Sequence, residues 1–358
     1  MRRRNFGFSI LELVIALAIV MLVLAAATTF FIGVVRQYKI QTKIVETNVE
    51  GILGLELLRQ DIESLGFGLP WDNVAGTAEA ITTNATLNAT GTIAPSAVAS
   101  LNTPADTVNN SDYLVIRSTR VGMKNAAGKW TTLQAGGSTR SWGSTEDDLD
   151  ENDLVIVLSP TLNHRSLVSP YQGIKFSAVA NVPSVYAPAD NLTVTNIVYG
   201  VDNTSTNANL KFPWNRADYY IDNAPPTVVP KRCAPNTGVL VKRVVSHTSG
   251  ALMTPLPLLD CAADIQVIYG LDTNGDKMVE DWEDDISPFS ADTIRTQLVE
   301  VRVHILAQEG QRDDSYRTPS DNVTVGSQGK GRNWNVSGYP NYRWKVYTIA
   351  VKPRNLAN

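Results

Sequence analysis

An uncharged apolar run near the N-terminus constrains this chain more than any other feature. Residues 13–35 form 23 consecutive positions without a charged side chain. A run of this length spans the hydrocarbon core of a bilayer as one helix. It is longer than the apolar core of an ordinary secretory signal, and no small-residue cleavage site follows it. We therefore expect the helix to remain in the mature protein and to anchor it in a membrane.

A short basic segment precedes the apolar run. Arginines occupy positions 2–4, and Gly7, Phe8 and Glu12 follow. Basic residues on this side predict a cytoplasmic N-terminus and a translocated remainder. A carboxylate costs roughly 2.5–3.5 kcal/mol at the centre of a membrane helix and less near its end. Glu12 is therefore either an acid that reaches the membrane surface or a group with a partner.

This order of residues resembles the leader of type IV pilins and type II secretion pseudopilins. The resemblance implies a leader of residues 1–7, cleavage after Gly7 and N-methylation of the new N-terminus at Phe8. It also implies that Glu12 pairs with the N-terminal amine of a neighbouring subunit. Such a pair would leave neither buried charge without a partner.

The helix is predicted to continue beyond the membrane, over residues 8–66. Apolar residues recur there at spacings of three and four, which is the pattern of an amphipathic helix. They are Val45, Val49, Ile52, Leu55, Leu58, Ile62 and Leu65. A helix of this extent would be roughly 85 Å long. A membrane anchor followed by a separate helix fits the same pattern, and three glycines mark the points where we expect a bend: Gly33, Gly51 and Gly54.

Residues 67–358 are predicted to form a β-rich globular head. Residues 74–111 are rich in Ala, Thr, Asn and Ser, and we interpret them as a long loop or flexible insertion. Short β-branched runs follow at 112–118, 154–158, 192–199, 239–245, 297–306 and 342–351. Apolar and polar residues alternate in 297–306, which is typical of an antiparallel sheet with one wet face. The predicted fold class is α+β, with a long N-terminal helix packed on an antiparallel sheet, as in the resembled family.

Two segments of the head are similar to PilW-type minor pilins. One is residues 265–276, a strand that runs into an acidic loop, and the other is residues 342–355 at the C-terminal end. With the length of the chain, they favour a large minor pilin within the resembled family.

The chain contains two cysteines, Cys233 and Cys261. A translocated domain lies in an oxidising compartment, so we predict one disulfide. Two buried free thiols are the alternative. No histidine lies at metal-ligand spacing from a cysteine, and His304 is expected to be solvated on the polar face of its strand.

An acidic segment at 272–283 has the spacing of a twelve-residue calcium loop. The oxygen donors at loop positions 1, 3, 5, 7, 9 and 12 would be Asp272, Asn274, Asp276, the carbonyl of Met278, Glu280 and Glu283. Position 6 is Lys277, where an EF-hand has glycine, and the segment follows a strand. We therefore expect a looser Ca²⁺ loop, with a solvated acidic turn as the alternative.

Composition and motifs argue against several function classes. The chain carries 31 Lys and Arg against 35 Asp and Glu, a formal net charge of −4, which disfavours a nucleic-acid groove. There is no nucleophile elbow and no zinc-protease motif, and the glycine-rich segment 326–331 lacks the spacing of a phosphate loop. No catalytic residue is therefore predicted, and a membrane-anchored enzyme is the least supported hypothesis.

The sequence favours a minor pilin that primes or caps a type IV pilus. Alternatives are a minor pseudopilin of type II secretion and a pilus-tip adhesin with ligand contacts in 74–111 or 272–285. The resemblance implies three sets of partners: other pilins, major and minor; the prepilin peptidase and methyltransferase; and an inner-membrane assembly platform. It also implies an inner-membrane protein with a periplasmic head that later joins the pilus at the cell surface.

Overall fold

The computed structural model describes residues 9–102, 104–105, 107–161, 164–176, 184–190, 195–203 and 209–356. Helix α1 (Ile10–Glu63) is followed by a β-rich head that contains the short helix α2 (Ala291–Gln297). The strands in chain order are β1 (Val98–Leu101), β2 (Tyr113–Ser118), β3 (Trp130–Leu133), β4 (Leu154–Pro160), β5 (Arg165–Leu167), β6 (Ile174–Lys175), β7 (Asn196–Asp202), β8 (Asn215–Asp222), β9 (Gly238–Val244), β10 (Leu256–Leu271), β11 (Asp281–Glu283), β12 (Leu298–Glu309), β13 (Asn322–Val325), β14 (Arg332–Asn335) and β15 (Arg343–Val351).

The main sheet is antiparallel and contains eight strands within the described residues. Its order is β1-β2-β8-β9-β10-β12-β15, and β11 pairs with β10. In β12 the side chains of Val301, Val303 and Ile305 are buried, whereas those of Glu300 and Arg302 are half-buried. The predicted alternation is present around Glu300 and Arg302 but not from His304 onward, where both faces of the strand are buried.

A smaller sheet lies beside the main one and has its own core. Its order is β3-β7-β4-β5, with β6 paired to β4. Its buried cluster consists of Leu133, Leu149, Val155, Val157, Phe176 and Val198. Strands β13 and β14 form a separate hairpin.

The distal half of α1 packs on the main sheet and completes the core. Leu58, Ile62 and Leu65 are fully buried in a cluster with residues of β10 and β12, including Ile265 and Val303. The predicted architecture, a long N-terminal helix on an antiparallel sheet, is confirmed. The helix runs without interruption through all three glycines where a bend was expected.

Residues 74–111 differ from the predicted flexible insertion where the structure describes them. Most of the segment is irregular, but it contributes β1 to the main sheet, and Val74, Ile81 and Leu87 are buried. Small and polar residues suggested weak packing. The segment is instead fixed by a few large side chains and by the buried carboxylate of Glu79.

His304 is also placed differently from the expectation. It is buried, with its two ring nitrogens each 3.0 Å from a hydroxyl oxygen, of Thr348 on β15 and of Ser327. Ser327 belongs to the turn between β13 and β14, which is the glycine-rich segment 326–331. That hairpin covers the face of β12 that was predicted to be wet.

Candidate functional site

The predicted processing site is at the boundary of what the structure describes. Gly7 and Phe8 lie outside the described residues, which begin at Ser9. Cleavage after Gly7 and methylation of Phe8 therefore remain predictions from the sequence.

Glu12 is exposed in the first turn of α1 and forms a capping box with Ser9. Its Oε2 accepts a hydrogen bond from the backbone N–H of Ser9 at 3.0 Å, and the Ser9 hydroxyl oxygen accepts hydrogen bonds from the first turn in return. The spacing of Ser9 and Glu12 is the sequence signature of this motif. Sequence reasoning missed this local role. In the single subunit the Glu12 carboxylate accepts the hydrogen bond of a backbone N–H at the helix N-terminus. It is exposed, so it stays accessible to a second chain.

The proximal part of α1 is apolar and has no partner in the single chain. Every side chain from Ile10 to Val34 is exposed, and the helix is long and apolar enough to cross a membrane. An apolar surface of this extent is not stable in water. It fits membrane anchoring, with the head on the periplasmic side.

The distal part of α1 meets the head at a glycine. A Cβ at position 54 would lie 2.0 Å from the backbone oxygen of Leu258 on β10. Only glycine allows the helix and the strand backbone to approach this closely. A sequence pattern cannot distinguish this use of Gly54 from a weak point in a helix.

A buried ion pair fixes the orientation of α1 on the sheet. Lys242 Nζ on β9 donates to Asp61 Oδ2 at 2.5 Å, and the hydroxyl of Tyr219 on β8 donates to the same oxygen. Burial raises the pKa of Asp61, and the charge of Lys242 opposes that shift only in part. Rotation of the helix would leave both charges buried without partners, which typically costs about 3–5 kcal/mol. The sequence pattern gave no indication of this pair.

The other side of the distal helix carries an exposed apolar stripe. Val45, Val49, Ile52 and Leu53 are each more than half exposed. Residues 36–43, which include Arg36, Lys39 and Lys43, separate this stripe from the apolar proximal part. We call the exposed apolar side chains of the two stretches, 10–34 and 45–53, the assembly face. Its residue types suit packing against further apolar helices.

The two cysteines are joined in the structure. Cys233 lies before β9 and Cys261 lies within β10, and they form a disulfide with a Cα–Cα distance of 5.0 Å. The bond closes a loop with a sequence separation of 28 residues. In the chain-entropy model such a loop stabilises a fold by about 3–4 kcal/mol.

The acidic loop connects β10 to β11. Carboxylate oxygens of Asp272, Asp276 and Glu280 lie within 4.8 Å of one another. Asp272 Oδ2 accepts from the backbone N–H of Lys277 at 2.7 Å, and Asp276 Oδ1 accepts from that of Met278 at 2.8 Å. These three side chains could hold a divalent cation.

Two details of the loop bear on the predicted calcium ligands. Lys277 has φ +67°, so it adopts the left-handed conformation for which an EF-hand uses glycine. Glu283, the predicted twelfth ligand, lies in β11 and pairs instead with Lys330 of the β13–β14 turn at 2.8 Å. The structure thus brings Asp272, Asp276 and Glu280 together and places Glu283 in an ion pair outside this group. The predicted calcium ligands remain a prediction.

A second buried ionic cluster joins the insertion to the main sheet. Glu79 accepts hydrogen bonds from Arg117 on β2 at 2.6 and 2.9 Å and from Arg216 on β8 at 2.7 Å. Arg216 also binds Asp218 at 2.7 Å. Burial alone would raise the pKa of Glu79, but Arg117 and Arg216 outweigh it and hold the pKa at about 2. No motif in the sequence pointed to this cluster, because its members lie far apart along the chain.

Two family models match the chain. Residues 218–355 match the family of type IV pilus-assembly protein W, and residues 2–28 match the prokaryotic N-terminal methylation motif. The first match runs from within β8 past the end of β15, and the second covers the leader and the start of α1.

Comparison with curated proteins gave no match. Among solved structures, a type IV-like pilin from Thermus thermophilus is similar to this chain at 10% sequence identity and a TM-score of 0.33. The alignment covers 87% of this chain and 98% of the other.

Proposed function

We propose that the chain is a type IV minor pilin of the PilW type, which primes or caps the filament rather than repeating along its shaft. The size of the head supports this proposal. Two sheets and a hairpin are attached to one helix, so neighbouring heads would be crowded in a repetitive array. A subunit at the base or tip has a free side on which a broad head can be accommodated.

The assembly face is the observation that carries the proposed mechanism. It consists of exposed apolar side chains in 10–34 and 45–53, whereas the opposite side of the distal helix is locked to the head by Asp61 and Gly54. The subunit therefore offers a rigid helix with an open side. We propose that this side leaves the bilayer and packs against the helices of other pilins.

Glu12 is proposed to set the register of that packing. After cleavage behind Gly7 by the prepilin peptidase, Phe8 would carry a methylated amine. Glu12 of this chain or of its neighbour would pair with such an amine within the apolar helix bundle, which neutralises both charges. An inner-membrane assembly platform would supply the energy and the direction of transfer.

Variants at Glu12 test this mechanism. We expect Glu12→Ala and Glu12→Gln to be stable in the membrane and absent from sheared filaments. Glutamine keeps the capping box but removes the charge, so this variant separates capping of the helix from pairing with a neighbour's amine. Glu46→Ala is a matched control, because it removes an exposed acid from the same helix. Normal incorporation of Glu12→Gln would contradict the docking role.

A strain that lacks this protein distinguishes the minor pilin from the two alternatives, a type II secretion pseudopilin and a pilus-tip adhesin. The match to a pilus-assembly family favours a pilus over a type II secretion pseudopilus. We expect a deletion strain to lose pili and to retain secretion. Loss of secretion with normal pili would identify a pseudopilin, and loss of adhesion with normal pili would identify an adhesin.

A further inference from the structure

An open cleft lies on the smaller sheet, apart from α1 and from the acidic loop. Its volume is about 520 Å³, within the range of small-molecule sites. The side chains that matter for its chemistry are Arg120, Asn125, Trp130, Trp142, Glu146 and Asp147. Neither family match covers these residues.

Two tryptophans form one wall of the cleft. The ring centroids of Trp130 and Trp142 are 4.8 Å apart, and the ring planes are tilted by 59°. Trp142 Nε1 donates a hydrogen bond to the backbone oxygen of Trp130 at 2.7 Å, and Trp130 remains 36% exposed. The guanidinium of Arg140 lies over the Trp142 ring at 4.4 Å from its centroid, so Trp130 supplies the exposed aromatic surface of the cleft. An aromatic side chain held open to solvent is a common mark of a binding site.

The loop that carries Trp142 is held by a carboxylate. Asp148 accepts hydrogen bonds from the hydroxyl of Ser141 at 2.7 Å, from the backbone N–H of Trp142 at 2.6 Å and from that of Gly143 at 3.1 Å. The position of the ring is thus fixed before any ligand arrives. A ligand would not have to order this loop, which lowers the entropic cost of binding.

The polar groups of the cleft are nearly balanced in charge. Lys129 is paired with Asp150 at 2.8 Å. The remaining charged groups are the guanidiniums of Arg120, over the ring of Phe67, and of Arg140, over that of Trp142, and the carboxylates of Glu146 and Asp147. Within the described residues these two carboxylates have no ion pair or side-chain hydrogen bond. The balance disfavours polyanions and leaves donors and acceptors for a neutral ligand.

We propose that this cleft binds a neutral carbohydrate chain, with one pyranose ring stacked on Trp130, whose ring is supported by Trp142. The C–H face of a pyranose is apolar and flat enough to cover an indole ring. Its hydroxyls can donate to Glu146 and Asp147 and accept from Arg120 and Asn125. A phosphate-rich ligand would meet two carboxylates, and an aliphatic ligand would leave the polar groups without partners.

Calorimetric titration of the full-length protein tests the proposal. The protein is kept in a detergent without a sugar headgroup, because a glycosidic headgroup would compete. Cellotetraose, chitotetraose and maltotetraose serve as probes. We expect at least one to bind with a Kd of about 1 mM or tighter. Trp142→Ala should weaken it by about tenfold or more.

Two further variants keep the test independent of folding. Trp282→Ala removes a tryptophan that lies outside the cleft, under Arg302, and should bind as the wild type does. The double variant Glu146→Gln with Asp147→Asn changes only exposed carboxylates and should weaken binding several-fold with an unchanged melting temperature. The proposal is overturned if no probe binds up to about 10 mM, or if Trp142→Ala and the double variant both bind as the wild type does. Binding of an oligolysine peptide in place of all three probes would also overturn it.

Discussion

Gly54 shows at the residue scale how this fold depends on a missing side chain. The backbone of β10 occupies the space where a Cβ would lie. The same residue type at position 33 meets nothing within 4 Å. The two glycines look alike in the sequence and differ entirely in the structure.

We expect Gly54→Ala to destabilise the head, because the helix must move away from β10 to admit the methyl group. Overpacking of this kind typically costs about 1–3 kcal/mol. Thermal unfolding of the purified protein measures the loss. Gly33→Ala is the matched control and should leave the melting temperature unchanged. Equal melting temperatures for both variants would show that α1 does not pack on β10 as described.

Glu79 makes the stability of the head depend on pH. Its pKa is about 2 in the folded chain, against an ordinary value of 4.5. Folding therefore favours the ionised form, and this contribution is complete above about pH 4.5. It is lost as the pH falls from there towards 2.

Glu79→Gln should therefore lower the free energy of unfolding by about 3–5 kcal/mol at neutral pH, since it leaves the buried Arg117 without a counter-charge while Arg216 keeps Asp218. The difference from the wild type should shrink between pH 4.5 and 2. Urea unfolding of both proteins at several pH values measures the difference in the free energy of unfolding at neutral pH and its change with pH. Glu146→Gln, at an exposed carboxylate, is the control. A difference that stays constant with pH would contradict the described ion pairs.

At the element scale, α1 was the most predictable part of the molecule. Its apolar stripe repeats at helical spacing, and Gly66 and Gly68 have positive φ immediately after its end. The stripe does not reveal which of its members face the head. Leu58 and Ile62 are buried, whereas Val49 and Ile52 are exposed on the assembly face. Periodicity identifies an apolar side but not the element that covers it.

The insertion and the acidic loop show where local composition misleads. Glu79 stabilises a segment that looks like a linker, because its arginine partners come from β2 and β8. Glu283 fits a ligand spacing but is held by Lys330. Each outcome depends on a contact between distant parts of the chain, which single-sequence reasoning cannot supply.

Calcium should stabilise the acidic loop if Asp272, Asp276 and Glu280 act as ligands. We expect the addition of millimolar Ca²⁺ to raise the melting temperature of the wild type, because a ligand bound to the folded state alone shifts the equilibrium. The double variant Asp272→Asn with Asp276→Asn should show no such rise. Asp285→Asn, outside the cluster, is the control. An equal response in all three proteins would contradict a site in this loop.

At the scale of the whole molecule, the leader and the helix point to function more clearly than the head does. The leader motif and the apolar helix pattern each lie within one continuous segment of the chain. The sequence alone therefore predicts an anchored subunit with a long helix under a β-rich head. The order of the main sheet could not be predicted, because β2 pairs with β8 across about a hundred residues of intervening chain. The cleft at Trp130 and Trp142 was missed for a similar reason, since it forms only when the smaller sheet is folded.

The most direct test of the account is intact mass spectrometry of this protein in sheared pili. We predict that the chain is present in the filament fraction and begins at N-methylated Phe8. A chain that still begins at Met1, or a processed chain that never leaves the membrane fraction, would contradict its assignment as an assembled pilin.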